Sequence, residues 1–142
     1  MRSPPHAGQT LVELLITVAV AAILVGGGVR AVRPLVDRAR VRLAAAEVRA
    51  TFDEARRLAV LRAERVAVRI DTTRGGVAVH VLADSALRRP LGALYGVRLS
   101  ATRDSMAYGG TGLGHGAANL RVVARRGAVA ETVWVSRLGR VR

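Results

Sequence analysis

The sequence predicts an α+β protein, in which an N-terminal helix is followed by an antiparallel β-sheet. Three patterns predict it: an apolar run from Leu11 to Val29, apolar residues spaced alternately by four and three between 41 and 59, and a period of two that begins at Val66. A helix followed only by antiparallel strands is the arrangement of an α+β domain, in which the helix covers one face of the sheet.

The N-terminal apolar run carries one carboxylate, Glu13, and follows a glycine, Gly8. As a helix, Leu11 to Val29 spans about 28 Å, close to the thickness of a bilayer's hydrocarbon core. A carboxylate in such a segment is costly in lipid and is usually retained for a reason. After the run we expect flexibility at residues 26–28, which are all glycine, and a kink or break at Pro34.

A second, amphipathic stretch of helix is predicted from Leu35 to about Arg65, with one apolar stripe that is able to lie on a sheet. The stripe consists of Val41, Ala45, Val48, Phe52, Ala55 and Ala59. Charged residues such as Arg49 and Asp53 occupy the other faces, which we interpret as a solvated surface.

The strands are predicted from alternation and from turn residues. Residues 66–71 and 76–82 form a first hairpin around a turn at 72–76, and residues 95–101 and 105–108 are a third and a short fourth strand, with Val97 and Leu99 facing the core. Residues 119–124 and 132–137 form a last hairpin around Arg125, Arg126 and Gly127, and residues 83–94 are predicted as a loop.

The composition favours one domain that carries a strong positive charge. The 142 residues contain 23 basic and 10 acidic side chains, a net charge of +13, and no cysteine, which excludes disulfides and thiolate sites. Every basic residue is Arg, so compositional bias and selection for a polyanion both remain open explanations. One Phe, one Trp and two Tyr are too few for a platform of stacked bases.

Catalytic, cofactor and metal sites are not predicted, and we expect a protein that is not an enzyme. The glycine-rich segment at 109–116 lacks the lysine and the flanking elements of a phosphate-binding loop and is predicted to be a turn. His6, His80 and His115 lack the spacing of metal ligands, and the trio of Ser136, His115 and Asp104 has no support from spacing.

The combination of Gly8, Glu13 and the segment Thr-Leu-Val-Glu-Leu-Leu resembles the prepilin leader and N-terminal helix of type IV pilins and pseudopilins. The resemblance implies that a prepilin peptidase cuts between Gly8 and Gln9 and N-methylates Gln9. It also implies that Glu13, the fifth mature residue, pairs with the terminal amine of a neighbouring pilin subunit. Gln9 departs from the Phe or Met that is commoner at that position.

The resemblance implies a division of the chain into a leader (1–8), an apolar membrane-spanning and assembly helix (9–33) and a soluble domain (34–142). Within the soluble domain we expect a helix at about 35–65, a sheet at about 66–137 and a basic tail at 138–142. The protein would lie in the bacterial inner membrane, with one span and an extracytoplasmic C-terminal domain, before it enters a pilus or pseudopilus.

Two other interpretations of the N-terminal segment fit less well. A secretory signal peptide has a shorter apolar core and an Ala-x-Ala site, and Glu13 would interrupt that core. A plain membrane anchor fits the length but does not account for Gly8 and Glu13. The positive-inside rule conflicts with the pilin orientation, because several arginines follow the run and only Arg2 precedes it.

The end of the chain, Gly139-Arg140-Val141-Arg142, resembles the Gly-Arg-x-Arg tail of the GspH/FimT family of minor pilins and pseudopilins. In members of competence pili this tail is implicated in binding DNA, which implies that the present tail binds double-stranded DNA. Guanidinium groups grip phosphate oxygens without reading sequence, and an extended segment would place Arg140 and Arg142 on one side. The other candidate DNA-binding residues are Arg125, Arg126, Arg137 and Gly139.

Two functional hypotheses therefore remain. The first is a structural subunit of a type IV pilus or of a type II secretion pseudopilus. The second is a subunit that also captures DNA for natural transformation, with one end of the sheet made positive by Arg125, Arg126 and the tail. A solvated basic tail is the alternative to the second hypothesis.

Overall fold

A computed structural model describes residues 10–82, 84–115 and 119–142, with the side chains of 25–31 left aside. The chain divides into two compact units, one up to Leu35 and one from Val36 to Arg142. Gly8, Gln9 and His6 lie outside the described residues. The architecture is α+β, as the sequence predicts, with a long N-terminal helix and antiparallel strands. The strands form two separate sheets rather than the single sheet that was expected.

Helix α1 runs from Leu11 to Arg62 without interruption, through the three glycines and through Pro34. Of the kink or break expected at Pro34, the break is therefore wrong, because one proline removes only one hydrogen bond of a long helix. A kink at Pro34 stays a prediction. Among the described residues, no helix combines the length and the apolarity needed to cross a bilayer.

The C-terminus of α1 is closed by a Schellman motif. Ala63 takes a left-handed conformation with φ of 51°. Its N–H donates to the carbonyl of Val60 at 3.3 Å, and the N–H of Glu64 donates to the carbonyl of Ala59 at 3.2 Å. The helix therefore ends at Arg62 rather than at about Arg65, and the chain turns directly into the first strand.

The larger sheet contains five strands in the order β3-β2-β1-β5-β6. Its strands are β1 (Val66–Asp71), β2 (Gly76–Val81), β3 (Asp84–Arg89), β5 (Ser105–Tyr108) and β6 (Gly114–His115). The predicted β1–β2 hairpin is present, with Val66 opposite Val81 and Asp71 opposite Gly76.

The segment 83–94, predicted as a loop, instead contains β3 and a short helix, α2 (Leu91–Tyr95). Strand β3 is an edge strand that pairs with β2, and of its six residues only Leu87 is even partly buried. An edge strand without a buried face has no alternation of apolar and polar residues, so its sequence carries no strand signal.

The smaller sheet contains three strands in the order β4-β7-β8. They are β4 (Arg98–Ala101), β7 (Leu120–Arg126) and β8 (Val129–Val135). Strand β4 corresponds to the predicted third strand but begins at Arg98 rather than at residue 95. Val97 and Leu99 are buried as predicted. The predicted last hairpin is present, but its turn lies at residues 127–128, so that Arg125 and Arg126 belong to β7.

One hydrophobic core joins the second half of α1 to both sheets. The predicted apolar stripe of the helix is buried in full, and Phe52 and Tyr108 are the largest side chains in this core. The opposite faces of the two sheets carry the partly buried and exposed positions of the alternating strands. The fold thus gives each sheet one helix-covered face and one outer face.

Candidate functional site

Glu13 lies in the first turn of α1 and forms a capping box with Thr10. The Glu13 carboxylate accepts a hydrogen bond from the backbone N–H of Thr10 at 3.1 Å. The Thr10 hydroxyl in turn accepts one from the backbone N–H of Glu13 at 3.3 Å. This reciprocal pair satisfies two N–H groups at the start of the helix and places a negative charge where the helix dipole favours it.

The C-terminal tail forms a tight hairpin on the free edge of β8. The N–H of Gly139 donates to the carbonyl of Ser136 and the N–H of Ser136 donates to the carbonyl of Arg140, both at 2.8 Å. Residues 137–139 are therefore a three-residue hairpin loop, whose last position requires a left-handed residue. Gly139 fills it with φ of 80°.

Beyond the loop, the chain returns along β8 and presents its arginines outward. Trp134 and Arg142 exchange two backbone hydrogen bonds, of 2.9 and 2.8 Å, and Val141 pairs with Val135. Val141 packs against the core, whereas Arg140 and Arg142 are exposed. The Gly-Arg-x-Arg segment is thus a turn residue followed by one outward, one inward and one outward side chain.

The tail loop packs on the larger sheet and so connects the two sheets. The hydroxyl of Tyr108 on β5 donates a hydrogen bond to the carbonyl of Gly139 at 3.2 Å. A Cβ on Gly139 would lie 2.5 Å from the Tyr108 ring, and one on Gly114 of β6 would lie 2.5 Å from the carbonyl of Arg137. Glycine is therefore needed on both sides of this contact.

Arg126, a candidate DNA-binding residue, faces α1 and not solvent. Its Nε donates to the carboxylate of Asp37 at 2.6 Å, and its Nη1 donates to the carbonyls of Tyr95 and Gly96 at 3.0 and 3.1 Å. Both charged side chains are about 70% buried, with relative exposures of 29% and 27%. Arg126 thus connects the part of α1 that follows Leu35 to the segment between α2 and β4.

The other candidate arginines do not form a single cluster at one end of the sheet. Arg125 lies at the turn end of the β7–β8 hairpin, whereas Arg137, Arg140 and Arg142 follow the other end of β8. The seven residues of β8 separate the two ends by about 20 Å. The expectation of one strongly positive sheet end is therefore wrong, since a strand must lie between its own turn and its own tail.

The structure also brings together a pair that the sequence analysis did not identify. The guanidinium carbon of Arg121 on β7 lies 5.7 Å from the centroid of the Trp134 ring on β8. The two residues are directly opposite in the strand register and lie on the outer face. The alternation of apolar and polar residues within 120–135 was the available signal for the two strands. The pairing of Arg121 with Trp134 follows only once the position of the turn between β7 and β8 is known.

The remaining candidates have structural surroundings. Residues 109–113 of the glycine-rich segment form the turn between β5 and β6, closed by a hydrogen bond of 2.8 Å from the N–H of Gly112 to the carbonyl of Gly109. Gly114 and His115, which were also expected in the turn, form β6. The hydroxyl oxygen of Ser136 accepts the N–H of Arg140 within the tail turn. In the described part of the chain, no three His, Cys, Asp or Glu side chains are grouped as metal ligands.

Comparison with known proteins adds two findings. A family model described as the prokaryotic N-terminal methylation motif matches residues 4–29. A crystal structure of the type IV minor pilin FimU of Pseudomonas aeruginosa, strain PAO1, superposes with a TM-score of 0.65 at 15% identity, over 77% of this chain and 91% of that chain. The chain therefore has the fold of a type IV pilin behind an N-terminal methylation motif.

A second crystal form of the same FimU gives a TM-score of 0.60 at 14% identity, over 71% of this chain and 90% of the other. A search of curated proteins returns no match. At these identities the likeness establishes the fold alone, and the motif matches the N-terminal segment of the chain.

Substitution of Arg126 by Ala should destabilise the unit from Val36 to Arg142 by about 2 kcal/mol, because it leaves Asp37 and two carbonyls without their charged donor. Arg125→Ala is the matched control, since this neighbour is exposed and should change the free energy of unfolding by less than about 0.5 kcal/mol. Equal unfolding free energies for the two variants, measured by denaturant titration, would contradict the structural role of Arg126.

Substitution of Gly139 by Ala should cost about 2 kcal/mol or more, because it combines a left-handed backbone with a collision against the Tyr108 ring. Gly109→Ala is the control, since a Cβ there meets nothing within 4 Å. Thermal unfolding should show a lower melting temperature for the first variant alone. A Gly139→Ala variant as stable as the wild type would mean that the tail does not dock on Tyr108.

The stability of the protein should also fall at alkaline pH through Tyr108. Burial, together with the negative charge of Asp53 and against the positive charge of Arg56, raises the pKa of Tyr108 to about 12. The unfolded tyrosine ionises at a pKa near 10, so ionisation favours unfolding only above that pH. The free energy of unfolding should therefore fall between about pH 10 and pH 12, by about 2 kcal/mol.

Denaturant titrations across that range measure the fall, and Tyr108→Phe is the control because it removes the ionisable group. A pH dependence that is the same in Tyr108→Phe would assign the alkaline loss of stability to another group.

Proposed function

We propose that this protein is a minor pilin or pseudopilin, a structural subunit of a type IV pilus or of a type II secretion pseudopilus. The observation that carries the proposal is that one chain combines the methylation motif at 4–29 with a pilin-like fold. Pilin-like folds serve as filament subunits rather than as catalysts, and the motif gives the chain a route into a filament.

In this proposal the prepilin peptidase removes residues 1–8 and methylates Gln9. Residues 9–33 then anchor the subunit in the bacterial inner membrane and later lie among the corresponding helices of other subunits. Residues 34–142 form the soluble domain on the extracytoplasmic side. The large exposed side chains of the first helical unit, which include Leu11, Leu15, Ile16 and Ile23, are apolar and support such burial.

Glu13 has two successive partners in this mechanism. In the free subunit its carboxylate is held by the capping box with Thr10. During assembly the carboxylate turns to the methylated amine of Gln9 on a neighbouring subunit, and an ion pair replaces a hydrogen bond to a backbone N–H. The exchange is favourable because, in surroundings of low dielectric constant, an ion pair is stronger than a hydrogen bond from a neutral N–H group.

Mass spectrometry of the membrane fraction should find a chain that begins with N-methylated Gln9. Glu13→Gln should be cleaved normally but should enter filaments at least about tenfold less, since the amide keeps the size of the side chain and loses its charge. Thr10→Ala is the control, because it removes the capping hydroxyl and keeps the carboxylate. Equal incorporation of wild type and Glu13→Gln into sheared filaments would contradict the proposed pairing, and retention of residues 1–8 would contradict the processing.

A second candidate function is the capture of double-stranded DNA during natural transformation. The observation that favours it is the tail hairpin, which holds Arg140 and Arg142 on one exposed side. Arg137, in the loop of the same hairpin, is also exposed. The fixed backbone lowers the entropic cost of aligning these guanidinium groups with phosphates.

Binding to DNA should weaken steeply with salt, and the double variant Arg140→Ala/Arg142→Ala should lose affinity and lower the slope of log K against log salt by up to about two. The matched control is Arg69→Ala/Arg88→Ala, which removes two exposed arginines from the larger sheet. An equal loss in both double variants would indicate an effect of net charge rather than a site at the tail.

A further inference from the structure

The outer face of the smaller sheet carries a row of arginines around the single tryptophan of the chain. On this face the outward positions of β4, β7 and β8 alternate with buried ones, and the tail continues the sheet beyond β8. The exposed residues on it are Arg98, Ser100, Arg121, Arg125, Ala130, Trp134, Arg140 and Arg142.

The strand register places these side chains as neighbours. Arg98 on β4 is directly opposite Arg125 on β7. Arg121 is opposite Trp134, and Trp134 is opposite Arg142, so these three residues form one row across β7, β8 and the tail. With strands about 4.8 Å apart and about 3.4 Å between residues, the face measures roughly 13 Å along β7 and 15 Å across.

Trp134 positions the arginines at the centre of this face. Trp134 is 51% exposed, although tryptophan is usually largely buried, and Arg121 lies over its ring at 5.7 Å from the centroid. Such a contact holds a guanidinium group in one orientation and leaves its N–H donors free to point outward.

The positive charge of this face has no acidic neighbour along the described outward positions of β4, β7, β8 and the tail. Glu131, the acidic residue of β8, points to the helix side and binds Arg49 at 2.8 Å. Asp37 likewise meets the inward Arg126. Glu131 and Asp37 therefore neutralise arginines on the helix-covered side of the smaller sheet and not those on its outer face.

We propose that this outer face, and not the tail alone, is a binding surface for the phosphate backbone of double-stranded DNA. The proposal rests on DNA capture as the protein's function and extends its site to Arg98, Arg121, Arg125 and Trp134. A duplex carries one negative charge per about 1.7 Å of its axis, so a face of this size meets several phosphates at once. Planar guanidinium groups bind phosphate oxygens in pairs and independently of sequence.

The test uses the full-length chain in neutral detergent and a 20-base-pair duplex of arbitrary sequence. Trp134 is the only tryptophan, so its fluorescence reports directly on this face. The triple variant Arg98→Ala/Arg121→Ala/Arg125→Ala should bind at least about tenfold more weakly at physiological salt and lower the salt slope by up to about three. The matched control is Arg62→Ala/Arg69→Ala/Arg88→Ala, which removes the same charge elsewhere.

The outcomes separate this proposal from the candidate function on which it rests. Wild-type affinity in the triple variant, together with a loss in Arg140→Ala/Arg142→Ala, would overturn the face and leave DNA capture to the tail. A wild type that does not bind the duplex would overturn both. Tighter binding to vesicles of anionic lipid than to the duplex would reassign the face to a membrane surface. The single variant Arg98→Ala, on the strand farthest from the tail, should show about a threefold loss and provides a second reading.

Discussion

The burial of one narrow helical stripe, Val41 to Ala59, against two separate sheets is the constraint on which the rest of the structure depends. Four alanines with no exposed surface, Ala44, Ala45, Ala55 and Ala59, let the helix approach the strands closely, and Val48 and Phe52 fill the space between them. Because one helix covers both sheets, each sheet has one buried face and one solvent-exposed face. The two sheets are also connected by the hydrogen bond from the hydroxyl of Tyr108 to the carbonyl of Gly139.

The sequence predicted those parts of the fold in which burial alternates along a strand or recurs along a helix. The β1–β2 hairpin and the apolar stripe of α1 were found because a one-sided environment leaves a periodic pattern. Strand β3 was missed since it is an exposed edge that is held by backbone hydrogen bonds to β2. The long helix α1 was also predicted, since its two halves carry an apolar run and an amphipathic period, and one proline between them does not end it.

The candidate site was predictable to a similar, limited extent. In an extended segment Arg140 and Arg142 lie on one side and Val141 on the other, which follows from the sequence. The pairing of the tail with β8 makes this segment extended. The role of Arg126 was not predictable, because a turn displaced by one or two residues decides whether a side chain faces the helix or solvent. Contacts such as Arg121 with Trp134 depend on the pairing of two strands, which single-strand patterns do not contain.

A compositional bias toward Arg explains the absence of Lys but not the way in which charge is distributed. Bias alone would leave carboxylates and guanidinium groups mixed on every surface. Asp37, Glu47 and Glu131 form ion pairs across the margin between α1 and the sheets. Their partners Arg126, Arg89 and Arg49 are thereby neutralised, whereas Arg121 rests on an exposed tryptophan and Arg98 and Arg125 lie side by side. Placing like charges opposite each other is unfavourable for folding, and a polyanion bound to this face, as proposed above, would neutralise them from outside.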